Sequence, residues 1–507
     1  MKEIGQMSRI TSFHMSFQRL LRVGMVPALA GVCLLSLDAA LLSGQATRSE
    51  RQAPNPAHVT VLQAEQGLTF ARDVAPIVQA KCETCHRDGS VAPMSLQTYE
   101  QVAAFAPLIR DRVSRGVMPP WPVDKTVGVQ AFRDNESLSD GQIKTIVDWI
   151  DAGAPLGDPA DLPERLVWND DSNRWPYEDD IGRPPDLVLT APMYTVEANG
   201  RDQWPQHYTS LEEVGGGSLT KERWIQAIGS RPADTDSRYV FHHANVSITD
   251  MPGNSPDPMG DETGSIKLID TAVGTVGMIF PKNTGRVLRP GSQLRWNMHF
   301  HPYTRDMDAA LQLGVWFYPE GEEPDHYSMG DVSLAAGQGT FTRGTFPASE
   351  RVRHAQVSNE ADILLPPNSV SSMRGYHVLD RPAMVSGLRG HMHLRGKYQI
   401  VEVVYPDGSW EVINKLNWDH AWHKLFLYED GAEPLLPKGT TLILTSVFDN
   451  TVNNKHNPDP DQWVSLGDRS IDEMSHIRLE MTYFSDEDFA KMVDERAVKG
   501  QLVSEQQ

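Results

Sequence analysis

Cysteine is nearly absent from this 507-residue chain: there are three, and two of them stand in Cys82-Glu83-Thr84-Cys85-His86. The third, Cys33, falls in an apolar N-terminal run. If that run is removed, no thiol is left over for a structural disulfide once the pair is committed. The fold must then stand on its hydrophobic cores and on bound groups. The pentapeptide points to one such group. Two thiols a helical turn apart can each form a thioether with a haem vinyl, which puts the next residue, His86, under the iron as proximal ligand. A CxxC redox pair or half of a zinc site is the alternative, but the chain has no second pair to complete a zinc site. The expectation is one covalent haem c on Cys82, Cys85 and His86.

Length leaves room for two to four domains. The formal net charge of -21 argues against nucleic acid or an anionic membrane surface as the main partner. Lys2, Arg9, Arg19 and Arg22 precede an apolar run from Val23 to Leu37, and small residues follow at Gly44 and Ala46. Residues 1–46 therefore read as an export signal, sending the chain to the periplasm or outside the cell. Asp38 interrupts the run, against a stable membrane span, with an uncleaved anchor as the alternative.

Residues 60–158 carry helical signals. Ser139 and Gln142 form a capping box, Ile143, Ile146, Val147 and Ile150 share a face, and Gly153 and Pro155 stop the helix. The segment resembles small bacterial cytochromes c, in which a Met before Pro and ahead of the last helix is the distal haem ligand. Met118, in Met118-Pro119-Pro120-Trp121, fits that place, and Met94 competes with it. A linker at 159–183, rich in Pro and Asp, leads to short β-rich runs: 186–190, 239–248, 293–303, 398–405 and 441–448. Tyr405-Pro406-Asp407-Gly408 reads as a hairpin turn. Three strands are each preceded by a Pro turn, at Pro290-Gly291-Ser292, Pro367-Asn368-Ser369 and Pro437-Lys438-Gly439-Thr440. The predicted architecture is a small all-α cytochrome c domain followed by two antiparallel, jelly-roll-like β-sandwiches, at 184–345 and 346–490, with a polar tail at 491–507.

Six histidines fall in three tight pairs of the β region: His242-His243, His299-Phe300-His301 and His391-Met392-His393. Residues i and i+2 of a strand share a face, so His391 and His393 can address one ion. Adjacent His242 and His243 point to opposite faces unless a strand end or bulge intervenes. Imidazole suits copper and zinc alike, so spacing does not choose between them.

Four stretches of the region, in order, resemble the copper type II, ascorbate-dependent monooxygenases, the family of peptidylglycine α-hydroxylating monooxygenase and dopamine β-monooxygenase. They are Tyr239 to His243, Phe280 to Phe300 around Trp296-Asn297-Met298-His299, Arg389 to Lys397 around His391-Met392-His393, and Ser470 to Met474. The resemblance covers roughly residues 184–486. It implies two copper ions, one on His242, His243 and His299 that accepts electrons, the other on His391, His393 and Met474 that meets dioxygen. A thioether ligand suits Cu(I).

The resemblance also implies hydroxylation of a C–H bond of a small organic substrate. This chain departs from the family in having Phe300-His301 after the first-domain His, no disulfides, and His476 and Arg478 where the peptide-hydroxylating members carry Asn and Tyr. Arg389 matches their substrate-carboxylate arginine, while the departures put a peptide substrate in doubt. His301 is left as a competing ligand or an outer partner. The fused haem replaces ascorbate as the expected donor to the first copper, itself re-reduced by an external electron donor, since tethering raises its effective concentration. A periplasmic haem and copper electron carrier without oxygenase activity, or a zinc-bound binding module, are the rival readings.

Overall fold

The computed structural model describes residues 67–88, 90, 92–167, 174–249, 266–272, 275–335, 363–467 and 469–505. The expected export signal lies outside them. Strands dominate. Among the described residues no helix is long and apolar enough to cross a membrane.

The N-terminal lobe begins with a π-helical turn, Phe70–Val74, and helices Ala75–Lys81, Tyr99–Ala104, Ala106–Ser114 and Asp140–Asp151. They close on a small core that includes Phe70, Val78, Val102, Ile146 and Trp149. The last helix starts where the sequence says, with the Ser139 hydroxyl and the Gln142 side chain capping each other's backbone. It stops at Gly153, whose φ of 91° lies in the left-handed region. The amides of Gly153 and Ala154 return to the carbonyls of Ile150 and Trp149.

The lobe is not purely helical. Between its third and last helices the chain leaves it, and Val123–Gly128 pairs antiparallel with Trp410–Asn417 of the C-terminal sheet. Trp121, Val123 and Phe132 bury themselves in the core of the second sandwich beside Phe426 and Tyr428. Ion pairs Asp124–Lys415 at 2.9 Å and Glu136–Lys424 at 2.8 Å flank the contact. The expected 60–158 unit thus includes a segment that belongs structurally to residues 290 positions away. The expected linker is held at both ends as well. The Glu164 carbonyl accepts from the Gln79 side-chain amide at 3.2 Å, and the Arg165 guanidinium donates to the Gln97 carbonyl at 2.6 Å. Trp175 lies against Gly314, with the Arg231 guanidinium 4.0 Å above its ring.

In the first sandwich, strands Gln206–Ser210, Gln293–Phe300, Phe241–Thr249 and Ile266–Ala272 pair in that order. They share a core with Leu187–Thr190, Arg223–Pro232 and Leu311–Phe317, built on Leu189, Ile228, Leu294, Trp296 and Leu313. In the second, Trp410–Asn417, Gly396–Val404, Thr441–Asp449 and Val370–Val378 form one sheet, and Ala383–Met392 and Ser475–Tyr483 lie in the other. The strand His326–Ala335 pairs antiparallel with Ser475–Tyr483, and its first two residues pair parallel with Thr284 and Gly285. One ten-stranded sheet therefore runs through both sandwiches. The strand 326–335, ahead of the expected boundary at 345, pairs with strands of both sandwiches.

Local turn chemistry matches expectation. Gly291, Asn368 and Gly439 each take a left-handed φ, of 74°, 51° and 86°, just before a strand. The expected tail is instead part of a helix, Asp486–Glu505. Ser485 caps it, three acids fill its first turn, and Arg496 pairs with Glu433 at 2.7 Å.

Candidate metal centre

His243 lies directly across the ladder from His299, while the next pair in register is Phe300 with Phe241. His242 is the extra residue of a bulge. That irregularity turns two neighbouring imidazoles to one side, as the adjacent pair requires. The three Nδ1 atoms form a triangle: 3.0 Å between His242 and His243, 3.2 Å between His242 and His299, and 3.3 Å between His243 and His299. The centre of such a triangle is its side divided by √3, about 1.8 Å from each corner, just inside the ~2.0–2.1 Å of a metal–imidazole bond. That spacing suits a first-row ion.

Asp202 completes the arrangement from behind. One of its oxygens lies 3.1 Å from His299 Nε2, and the other lies 2.7 Å from His301 Nδ1. The bridge between Gln203 and Phe300 holds the acid there. A carboxylate on the outer nitrogen leaves Nδ1 of His299 as the lone pair turned to an ion. His301 shares Asp202 with His299, and these three residues form a second group whose ligand atoms lie close enough to hold an ion. Trp204 stacks on His299 at 4.6 Å. Burial first, then neighbouring imidazoles, hold His242 down to about 3 and His243 well below its usual value. Burial also holds His299 at about 4, although Asp202 pulls it upward. Neutral imidazoles are what a metal needs.

The second group grows from the opposite sandwich. His391, near the end of Ala383–Met392, and His393, just beyond that end, have rings 5.3 Å apart and nearly perpendicular. Nδ1 of His393 is buried and has no hydrogen-bond partner. Met474 comes from the start of the neighbouring strand, where His391 pairs with His476 and Met392 with Ser475. Glu473, fully buried, ties the two together. One of its oxygens accepts from the amides of His393 (2.5 Å) and Met474 (3.0 Å), and the other accepts from Arg395 (3.0 Å). Gln399 braces the site from beneath, donating to the hydroxyl of Ser475 and the carbonyl of His476. A Cβ on Gly390 would come 2.5 Å from its amide oxygen.

In the N-terminal lobe, Cys82 follows the helix Ala75–Lys81, and the amide of His86 donates to the Cys82 carbonyl at 2.8 Å. Nδ1 of His86 lies 3.1 Å from the carbonyl of Met94. This fixes the ring and leaves Nε2 for a ligand, the geometry an axial histidine needs. Burial pushes the Cys82 thiol up to about 12. Of the two methionines, Met94 packs on the lobe's core. Met118 is partly buried three residues before Trp121.

No family model and no curated protein matches the chain. Among solved structures, similar chains include a putative alpha-L-fucosidase from Bacteroides ovatus, 8% identical over 68% of this chain and 43% of that one, with a TM-score of 0.15. An allantoicase is 9% identical over 50% of this chain and 79% of that one, with a TM-score of 0.15. Oxalate decarboxylase from Bacillus subtilis is 8% identical over 64% and 85%, with a TM-score of 0.12. This chain spans less than half the length of the fucosidase. Scores this low carry no statement about fold or function.

Arg389 has a different partner from the one expected of it. Its guanidinium is 2.8 Å from Asp270 of the first sandwich and only 12% exposed. Arg478 and Lys267 reach the same carboxylate oxygen at 3.0 Å each. The arginine thus clasps the two sandwiches together. Two histidines outside the expected ligand sets stand beside the second group: His476 stacks on His391 at 4.6 Å, and the His423 ring is 5.3 Å from it. The alternation Met474, His476, Arg478 on one strand face was a signal for the first. His423 comes from a loop and gave none.

Proposed function

We propose that this chain is a copper-dependent monooxygenase that hydroxylates a C–H bond of a small organic substrate, with a covalent c-type haem as its electron donor. The triangle of Nδ1 atoms on His242, His243 and His299 carries the reading, because three neutral imidazoles converging at that spacing serve an ion and little else. The His391, His393 and Met474 group adds a softer donor set nearby. Bound there, copper supplies two one-electron couples and the haem a third. The overall balance is one substrate C–H, one dioxygen, two electrons and two protons, giving an alcohol and water.

The chain's own residues set the conditions. Asp202 keeps His299 oriented and basic. Glu473 fixes His393 and Met474 through their amides, so the second donor set is held by backbone as well as side chains. His86, oriented by the Met94 carbonyl, the two thiols and Met118 would hold the haem. The jelly-roll-like sandwiches, the cytochrome-like character of the lobe, and the export of the chain to the periplasm or beyond are parts of the same reading. A substrate carboxylate has no claim on Arg389 while Asp270 holds it.

The test is isotopic. Reduced, metal-loaded protein is given small organic substrates under ¹⁸O₂, and products are read by mass spectrometry. One ¹⁸O per product molecule is expected. Haem and copper that cycle without any dioxygen-dependent product would make the chain an electron carrier. Bound zinc without a Cu(II) resonance would make it a zinc-holding binding module.

A further inference from the structure

The loop from Trp418 to Tyr428 touches both histidine groups and the segment by which the N-terminal lobe docks. Trp418 donates its indole N–H to the carbonyl of His393 at 2.9 Å. His423, 8% exposed, has its ring 5.3 Å from His391, 5.8 Å from His243 and 6.3 Å from His242. It therefore stands between the two donor groups and faces a member of each. The next residue, Lys424, lies 5.1 Å from the centre of the Trp121 ring and 2.8 Å from Glu136. Phe426 meets Trp121 edge-on at 5.1 Å. Trp121 in turn is three residues from Met118, in the stretch by which the N-terminal lobe docks onto the second sandwich.

An imidazole is an expensive choice for a buried packing position, because its polar nitrogens must be taken from water. Its Nε2 is 3.1 Å from the His420 carbonyl, which satisfies one nitrogen and fixes the ring plane. A leucine or phenylalanine would fill the space without that requirement. What the imidazole adds is a polarisable ring in contact range of both donor groups, one covalent step from a side chain packed on Trp121.

We infer that His423 is the junction through which electrons leave the haem lobe, by way of Trp121 and the Lys424–Phe426 segment, and reach both donor groups. The inference rests on the haem and copper reading above. Each transfer oxidises one haem Fe(II) to Fe(III) and reduces one Cu(II) to Cu(I), and an external one-electron donor then re-reduces the haem. The docked segment at 121–133 makes this a fixed path and not a chance encounter on a flexible tether.

The experiment follows haem absorbance after rapid mixing. Protein loaded with Cu(II) is mixed anaerobically with just enough dithionite to reduce the haem, and reoxidation of the haem by copper is timed. His423→Leu should slow reoxidation by roughly tenfold or more, equivalent to about 1.4 kcal/mol of barrier, with copper content and thermal midpoint unchanged. Phe426→Leu and Lys424→Met should slow it in the same direction, while His420→Leu should not. Wild-type kinetics in His423→Leu with both coppers present would overturn the route. Loss of copper from that variant would also overturn it, and make His423 a ligand or its support. A wild-type haem that copper never reoxidises would instead reject the donor reading itself.

Discussion

Asp270 is one carboxylate facing three cations. Lys267 and Arg478 approach at 3.0 Å, Arg389 at 2.8 Å, and Asn245 donates to its other oxygen at 2.9 Å. Burial pushes its carboxyl up, but Arg389 and Lys267 outweigh that and keep it below the usual range. Removing one partner of a buried ionic cluster leaves uncompensated charge, so Asp270→Ala should cost about 3–5 kcal/mol in a urea titration. A loss under about 1 kcal/mol, the size of a surface pair, would show that the clasp does not hold the sandwiches. Asp202 acts more locally. Asp202→Ala should weaken copper binding at His242, His243 and His299 by about 10–100-fold in a chelator competition. Unchanged affinity would mean that His299 needs no outer partner. Of the candidate ligands, the His391–His393 pair was legible from strand spacing, while the grouping of His242, His243 and His299 and the choice of Met474 came from the resemblance. Asp202, Asp270 and His423 were not legible, since each acquires its role from partners that only the fold brings near.

The bulge at His242 shows how an element converts an unfavourable spacing into a site. Adjacent residues of a regular strand diverge, and one extra residue in the ladder removes that obstacle. The segment 121–133 does comparable work for the lobe. Its strand has a mixed pattern with one fully buried position, Val123, and its ladder partners lie far along the chain, so nothing local announced it. The Ser139 capping box, the Pro turns and the 405–408 hairpin were legible because their chemistry is contained within a few residues. Phe132 stacks on Tyr428 at 4.9 Å inside the second core. Phe132→Ala should therefore cost about 3–5 kcal/mol and expose 115–139 to limited proteolysis ahead of the sandwiches. Protection equal to wild type would mean that other contacts, such as Glu136–Lys424, are enough to hold the lobe.

Across the whole molecule, buried neutral histidines set the response to acid. His242, His423 and His476 are held at about 3, and His299 and His377 at about 4, all chiefly by burial. In the unfolded chain these rings take up protons near pH ~6.5, so between that value and about 4 the unfolded state binds more protons than the folded one. Stability is complete above ~6.5 and falls steeply as the pH drops toward 4. Copper should protect, since it binds the folded state. A metal-free melting temperature that stays flat from pH 7 to 4.5 would contradict this. His242 and His299 are also proposed copper ligands, and metal content tests the copper and haem assignment. Protein matured in an oxidising, haem-attaching host is assayed for iron and copper, alongside His242→Ala and His391→Ala. The expected result is one iron and two coppers per chain, each variant losing one copper and keeping its iron. Copper absent from the wild type, or both coppers retained in either variant, would contradict it.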